Sequence, residues 1–233
     1  MSDKVKILID KSDLVGMADA IRSVIGSTDK LNIDELTVGV TENIGGGGDT
    51  SIEDGLISGD FTSYTNDRVT NIRSYAFYNC ANLTSAYFPN VISIEKSAFQ
   101  NCGLISASFP SAENIGSYAF MSCSNLTSIN CEKAISIGQS TFTSCSNLTD
   151  VNMPNLTLIP SNAFYLCSNL SRASFPKATS IYNSAFTGCR SLVNVYFPSV
   201  TYIGTQAFTN CVTLTSVEFP AVKTLSSYVF QYC

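Results

Sequence analysis

From about residue 67 onward, apolar and polar positions recur with a period of 22 residues. Phenylalanine stands at Phe77, Phe99, Phe120, Phe142, Phe164, Phe186, Phe208 and Phe230, with a single step of 21. Cysteine follows three residues later each time, at Cys80, Cys102, Cys123, Cys145, Cys167, Cys189, Cys211 and Cys233. Five residues before each Phe lies Ile72, Ile94, Ile115, Ile137, Ile159, Ile181, Ile203 or Leu225. The short step has a visible cause: "CANL" and "CSNL" become "CGL" at 102–104. Such a period marks a solenoid, in which one unit cannot bury its own apolar face and must stack on the next.

Within each unit the phrase L-x-x-(A/V/I)-x-(F/M/C) follows the cysteine, as in Leu83, Ala86 and Phe88 or Leu192, Val195 and Phe197. Its last positions alternate with polar residues, which predicts one short, half-buried parallel strand per coil. A proline often comes next, at Pro89, Pro110, Pro176, Pro198 and Pro220. It lacks an N–H and suits the place where pairing stops. A second apolar pair, such as Val91 with Ile94, then leads into "S-x-A-F-x-x-C", which returns the chain to the next strand. Stacked in register, Phe77 through Phe230 and Cys80 through Cys211 form the expected core ladders.

The first residues read differently. "KVKILI" (4–9) alternates like a short strand. Over 12–26, Leu14, Met17, Ala18, Ile21, Val24 and Ile25 share a helical face behind the capping residues Ser12 and Asp13. A second helix is expected over 27–44, with Ile33, Leu36, Val40 and Ile44 inward. Residues 1–44 thus form a small helical attachment or oligomerisation domain. Residues 45–50 are a Gly-rich linker, and 51–66 are a cap on the solenoid, with Leu56, Gly59 and Phe61 in the L-x-x-A-x-F positions. The expected fold class is α+β: a leucine-rich-repeat solenoid over 67–233 behind a helical domain.

Charge narrows the functions. Nine acidic and five basic residues fall in the first fifty, against nine and eight in the rest. The repeats are close to neutral, which disfavours a nucleic-acid partner. The chain has no histidine, so the usual general base and the commonest metal ligand are missing; no enzyme activity, cofactor or metal is expected. No apolar run reaches the roughly 18 residues of a membrane span, and no secretory signal is visible at the start. The eight-cysteine ladder reads better as small buried side chains packed in register than as inter-coil disulfides or a metal string. A reducing cytosol opposes the former, and C-x-x-C and His partners are lacking for the latter. The ninth cysteine, Cys131, stands where other units have Phe88 or Phe109.

The outward strand positions vary most. One column reads Tyr87, Ser108, Asn130, Asn152, Ser174, Tyr196 and Glu218; its neighbour reads Ser85, Ser106, Ser128, Asp150, Arg172, Asn194 and Ser216. This Tyr, Ser and Asn mixture stacks and hydrogen-bonds without strong charge, as engineered and immune binding surfaces do. Tyr87, Asn130, Asn152, Arg172, Asn194, Tyr196 and Glu218 are the candidate binding residues, and sugars or protein surfaces the candidate ligands. A second set, Tyr75, Tyr78, Tyr118, Tyr165 and Tyr228, lies around the Phe turn.

The unit resembles the BspA-like leucine-rich repeat, written roughly "L-t-s-v-x-F-P-x-x-V-t-x-I-G-x-x-A-F-x-x-C", over about residues 67–233. The resemblance implies a binding or scaffolding role without catalytic chemistry. Residues 14–44 resemble a leader of tail and baseplate-region proteins from phages and prophages of Gram-positive bacteria, through Met17, Ala18, Asp19, Ala20, Ile21, Arg22, Gly26, Thr28, Asp29, Leu31 and Ile44. The pairing implies a virion structural protein of the tail, baseplate or fibre, or a head decoration protein. It would be held by other virion proteins through residues 1–44 and display the solenoid to a host-surface glycan or protein, as a homo-oligomer. The alternative is a BspA-like adhesin or interaction module on a bacterial surface. The chain stops at Cys233, before another strand phrase, so the expectation is a longer natural protein or a covered end.

Overall fold

The chain divides into two units, Met1–Asp49 and Thr50–Cys233. The computed structural model describes residues 62–233 and the backbone of Ser51–Ile52. The two expected helices and the Gly-rich linker lie outside the described residues.

Each described coil carries two strands, where the sequence pattern predicted one. A three-residue strand occurs at Ser63–Thr65, Ser85–Tyr87, Ser106–Ser108, Ser128–Asn130, Asp150–Asn152, Arg172–Ser174, Asn194–Tyr196 and Ser216–Glu218. A two-residue strand occurs at Ser51–Ile52, Asn71–Ile72, Ser93–Ile94, Asn114–Ile115, Ser136–Ile137, Leu158–Ile159, Ser180–Ile181, Tyr202–Ile203 and Thr224–Leu225. All pairing between coils is parallel, as in Ala86 opposite Ala107 and Ile94 opposite Ile115. The second ladder was hidden because its inward residue, the conserved-spacing Ile, has only one paired neighbour. No period-2 run long enough to read as a strand results. Among the described residues there is no helix, so this part of the chain is all-β.

A third edge is built from turns. The residues two before and two after each Phe adopt left-handed backbone, for example Tyr75 (φ 63) and Asn79 (φ 61), or Ser140 (φ 56) and Ser144 (φ 62). This arrangement turns alternate amides toward the next coil. The Tyr75, Phe77 and Asn79 amides donate to the carbonyls of Lys96, Ala98 and Gln100 at 3.0, 2.7 and 2.9 Å. Asn tolerates such φ values well, which accounts for Asn79, Asn101, Asn162 and Asn210 around "A-F".

Inside, the phenylalanines form a continuous offset stack. Rings of Phe99, Phe120, Phe142, Phe164 and Phe186 follow one another at 5.3–5.4 Å, with planes within 12° of parallel. Offset stacking of this kind adds to the gain from burial itself. A second aromatic column, Phe88 on Phe109 (5.7 Å) and Phe175 on Phe197 (6.1 Å), is interrupted by Cys131 and Met153, both buried.

The cysteine ladder has its own bonding. From Cys102 onward each thiol of the ladder donates to the carbonyl of the Phe in the preceding coil: Cys102 to Phe77 at 2.8 Å, Cys145 to Phe120 at 3.1 Å, Cys211 to Phe186 at 3.2 Å. A small apolar side chain with a weak donor fits that slot. No disulfide joins the nine cysteines. Two expected core residues, Cys80 and Phe230, and the last cysteine of the series, Cys233, sit at the ends of the described stack and are less covered. Cys80 and Phe230 are only partly buried, and Cys233 is exposed.

The cap register is corrected by the pairing. Tyr64 stands opposite Ala86, with Ser63 opposite Ser85 and Thr65 opposite Tyr87. The strand of that coil is therefore Ser63–Thr65, beyond the phrase Leu56, Gly59, Phe61. Tyr64 fills the inward place, stacking on Phe88 at 5.4 Å and meeting Phe77 edge-on at 5.2 Å.

Candidate functional site

The three-residue strands set the candidate site. Their middle residues point inward, so the first and third residues point out, with parallel strands spaced about 4.8 Å apart. Tyr87 lies opposite Thr65 on one side and Ser108 on the other, and Ser108 opposite Asn130. Asn152 pairs with Ser174, and Asn194 and Tyr196 with Ser216 and Glu218. All seven candidate residues are thus on one kind of strand, and all seven are exposed. The tyrosines stand out most, at 46% for Tyr87 and 60% for Tyr196.

Over the first coils the face is hollowed. Small residues at Ser106, Ala107 and Ser108 lie between Tyr87 and Asn130 and open a notch of about 390 Å³, which Ser128 also lines. Its walls offer hydroxyls, an amide and one aromatic ring, and no charged group. Hydroxyls and amides both give and accept hydrogen bonds, and a tyrosine ring supplies apolar area with few rotatable bonds. Tyr87 and Asn130 belong to this notch. Asn152, Arg172, Asn194, Tyr196 and Glu218 lie further along the stack, outside it. There two of the charges pair: Arg172 Nε meets Asp150 Oδ2 at 2.8 Å across adjacent strands. Both side chains are well exposed, so the pair contributes little to stability.

A second surface escaped the sequence reading. Just past the inward Ile, the coils carry Glu95, Gly116, Gly138, Pro160, Tyr182 and Gly204 in turn. Toward the N-terminal side this makes a depression of about 470 Å³ with Glu95, Lys96, Asn114 and Ser136 on its walls. Asn71 Nδ2 (3.0 Å), the Ser74 amide (3.0 Å) and Ser74 Oγ (3.1 Å) all donate to the Glu95 carboxylate. The Asn71 bond leads in holding the Glu95 pKa below its ordinary value. Toward the C-terminal side the same surface turns bulky, with Leu158 exposed and the Tyr182 and Tyr202 rings 5.7 Å apart. The sequence signal for it is the pair of positions flanking the Ile, which are Ser or Asn before and Gly after at Ile115 and Ile137 and carry Leu158, Tyr182 and Tyr202 further along. Of the turn tyrosines, Tyr75 meets Tyr78 edge-on at 5.7 Å, and Tyr118 Oη accepts from Gln139 Nε2 at 2.6 Å.

The thiols are poor candidates for chemistry. Burial pushes Cys131 and Cys211 up to about 12. Cys80 is raised chiefly by its hydrogen bond with Cys102. A maleimide titration of the native chain near neutral pH should modify exposed Cys233 first and Cys80 slowly. The thiols of the Phe turns from Cys102 to Cys211 should react only on unfolding. Fast native labelling of Cys145 or Cys167 would contradict the buried ladder. Among the described residues no group of three or more His, Cys, Asp or Glu side chains is placed to hold a metal ion. No described helix is long and apolar enough to cross a membrane.

Comparison with known proteins matches this geometry. Residues 61–170 and 113–233 fit a family model described as the BspA type leucine rich repeat region, in six copies. A leucine-rich repeat protein from Bacteroides ovatus is 29% identical, with a TM-score of 0.68, over 74% of this chain and 46% of its own. The T. pallidum leucine-rich repeat protein is 26% identical, with a TM-score of 0.61, over 67% of this chain and 79% of its own. A leucine-rich cell surface protein from Faecalibacterium prausnitzii is 29% identical, with a TM-score of 0.60, over 68% and 48%. The chain thus spans about half the length of the Bacteroides and Faecalibacterium proteins. No curated protein matches.

Proposed function

The chain belongs to the BspA-type leucine-rich repeat family, and from that premise we propose that it is a surface-displayed recognition module of adhesin type. It binds a glycan or a protein through its three-residue strand face. The observation that carries this reading is the uncharged notch beside Tyr87, set in a face of exposed Tyr, Ser and Asn side chains. A packed solenoid holds those groups in fixed register, so binding costs little ordering entropy. Its likeness to a protein described as a leucine-rich cell surface protein supports display on a bacterial surface.

The test is binding of the full chain to a glycan array and to a panel of extracellular-matrix proteins. The parent should bind at least one of them. Tyr87→Ala/Tyr196→Ala should weaken that binding about tenfold or more, as removal of two exposed aromatic anchors does at other interfaces. Undiminished binding by the double variant would reject the strand face. A parent that binds nothing on either panel would leave an architectural role.

A virion role rests on a different observation, the resemblance of residues 14–44 to a phage tail and baseplate leader. In that role residues 1–44 would hold the chain on the particle as an oligomer, and the same strand face would meet the host. The genes beside this one separate the two settings: tail and lysis genes for the virion, sortase or secretion genes for the cell surface.

A further inference from the structure

Each joint between successive coils has three edges where backbone hydrogen bonds form: the three-residue strands, the two-residue strands and the Phe turns. At the joint between the coils of Ser128–Asn130 and Asp150–Asn152, strand pairing is interrupted on the first two edges. The three-residue strands group as four, two and two, and the two-residue strands as five and four. Both series break at this joint.

Each break has a cause in the sequence. On the two-residue edge, the residue after Ile donates to the Ile carbonyl of the preceding coil. Gly116 does so to Ile94 at 2.6 Å, Gly138 to Ile115 at 2.8 Å, Tyr182 to Ile159 at 2.9 Å and Gly204 to Ile181 at 2.8 Å. Pro160 holds that position at the open joint, and proline has no N–H to give. On the three-residue edge, the aromatic column loses its rings where Cys131 faces Met153. Thr149 still donates to the Thr127 carbonyl, at a long 3.3 Å.

The third edge is intact. The amides of Ser140, Phe142 and Ser144 donate to Ser161, Ala163 and Tyr165 at 3.0, 2.9 and 2.8 Å. Phe142 and Phe164 stack at 5.4 Å, only 4° from parallel. The next break in the three-residue edge, between Arg172–Ser174 and Asn194–Tyr196, differs. There Ile181 remains paired with Ile203. Among the described residues, the joint at Pro160 is the one where both strand series break, leaving on those two edges the bonds from the Thr149 amide and Oγ1 to the Thr127 carbonyl at 3.3 and 3.2 Å.

We infer that this joint is a hinge with the Phe turns as its spine. The solenoid is two rigid stacks, residues 62–146 and 147–233, and its strand face is two docking surfaces that can reorient. The first carries the uncharged Tyr87 and Asn130 notch. The second carries Asp150, Arg172 and Glu218.

Two readouts on the full chain test this. Cys131 lies on the opening side and Cys123 on the spine, and both are buried. Native maleimide labelling should be faster at Cys131. Equal, negligible rates at the two thiols would overturn the hinge. Pro160→Gly restores the missing donor with the residue found at Gly116 and Gly138. It should slow hydrogen exchange of the Thr149 amide and labelling of Cys131 about five-fold, the factor one net hydrogen bond gives. The Gly116 amide serves as the unchanged control. Thr149 exchange unaltered by the substitution would mean that the two edges do not open together and would also overturn the proposal. Should Pro160→Gly misfold, the parent comparison of Cys131 with Cys123 decides alone.

Discussion

Phe164→Ala should lower the stability of the coil stack by about 3–5 kcal/mol, the usual cost of deleting a fully buried ring. Phe164 is completely buried. Its ring stacks on Phe142 at 5.4 Å and Phe186 at 5.3 Å, and touches Phe175 at 5.6 Å. One truncation therefore weakens two joints at once. In a solenoid, stability is a sum of coil terms and nearest-neighbour terms, so the damage stays near the deletion. Urea unfolding followed by circular dichroism should show an earlier transition, with the coils on either side of residue 164 melting apart. An unmoved midpoint would mean that the Phe column does not hold the stack.

Gly188→Val should cost about 2–3 kcal/mol, for a reason of backbone rather than burial. Gly188 has φ 78, where a β-branched side chain is a severe misfit. Its amide donates to the Thr209 carbonyl at 2.8 Å, so the turn is not at liberty to swing away. An added Cβ would also lie 2.7 Å from Leu166 Cδ2. Gly188→Asn is the control. Asn79, Asn101 and Asn210 occupy the same column at φ near 60, and the asparagine variant should lose well under half as much. Equal losses in thermal unfolding for Val and Asn would place the cause in volume and not in φ.

Much of the solenoid was legible because its side chains report their own surroundings. The Phe, Cys, Leu and Ile columns had to be apolar and in register, and they are buried where the period placed them except at the ends of the stack, at Cys80, Leu214, Leu225, Phe230 and Cys233. The ninth cysteine, Cys131, fell in the aromatic column as its spacing indicated. Features carried by backbone were less visible. The two-residue ladder shows only one inward side chain per coil. The left-handed residues of the Phe turns include Tyr75, Leu166 and Gln206, types that do not announce such φ values. The cap register was misread because Phe61 resembled the aromatic of the strand phrase, whereas Tyr64 is the residue that meets Ala86.

The candidate site was legible in part. Alternation placed Tyr87, Asn130, Asn152, Arg172, Asn194, Tyr196 and Glu218 on outward strand positions. That the face is hollow near Tyr87 depends on Ser108 standing between the larger Tyr87 and Asn130 beside a row of small residues, Ser85, Ser106 and Ser128, a relation between coils that no single unit shows. The Asp150–Arg172 pair follows from the same cross-coil register. Pro160 stood outside the repeat consensus, yet its effect appears only once the Ile137 carbonyl is seen to lack its partner's N–H.

The central claim is that recognition resides on the three-residue strand face. It is tested most directly by measuring adhesion of chain-coated beads to whichever glycan or matrix protein the parent binds, with substitutions on two different edges. Tyr87→Ala, Asn130→Ala and Asn152→Ala should each reduce bead retention, whereas Tyr75→Ala, Tyr118→Ala and Tyr165→Ala on the Phe turns should leave it unchanged. Retention lost with the turn substitutions and kept with the strand-face ones would contradict the account.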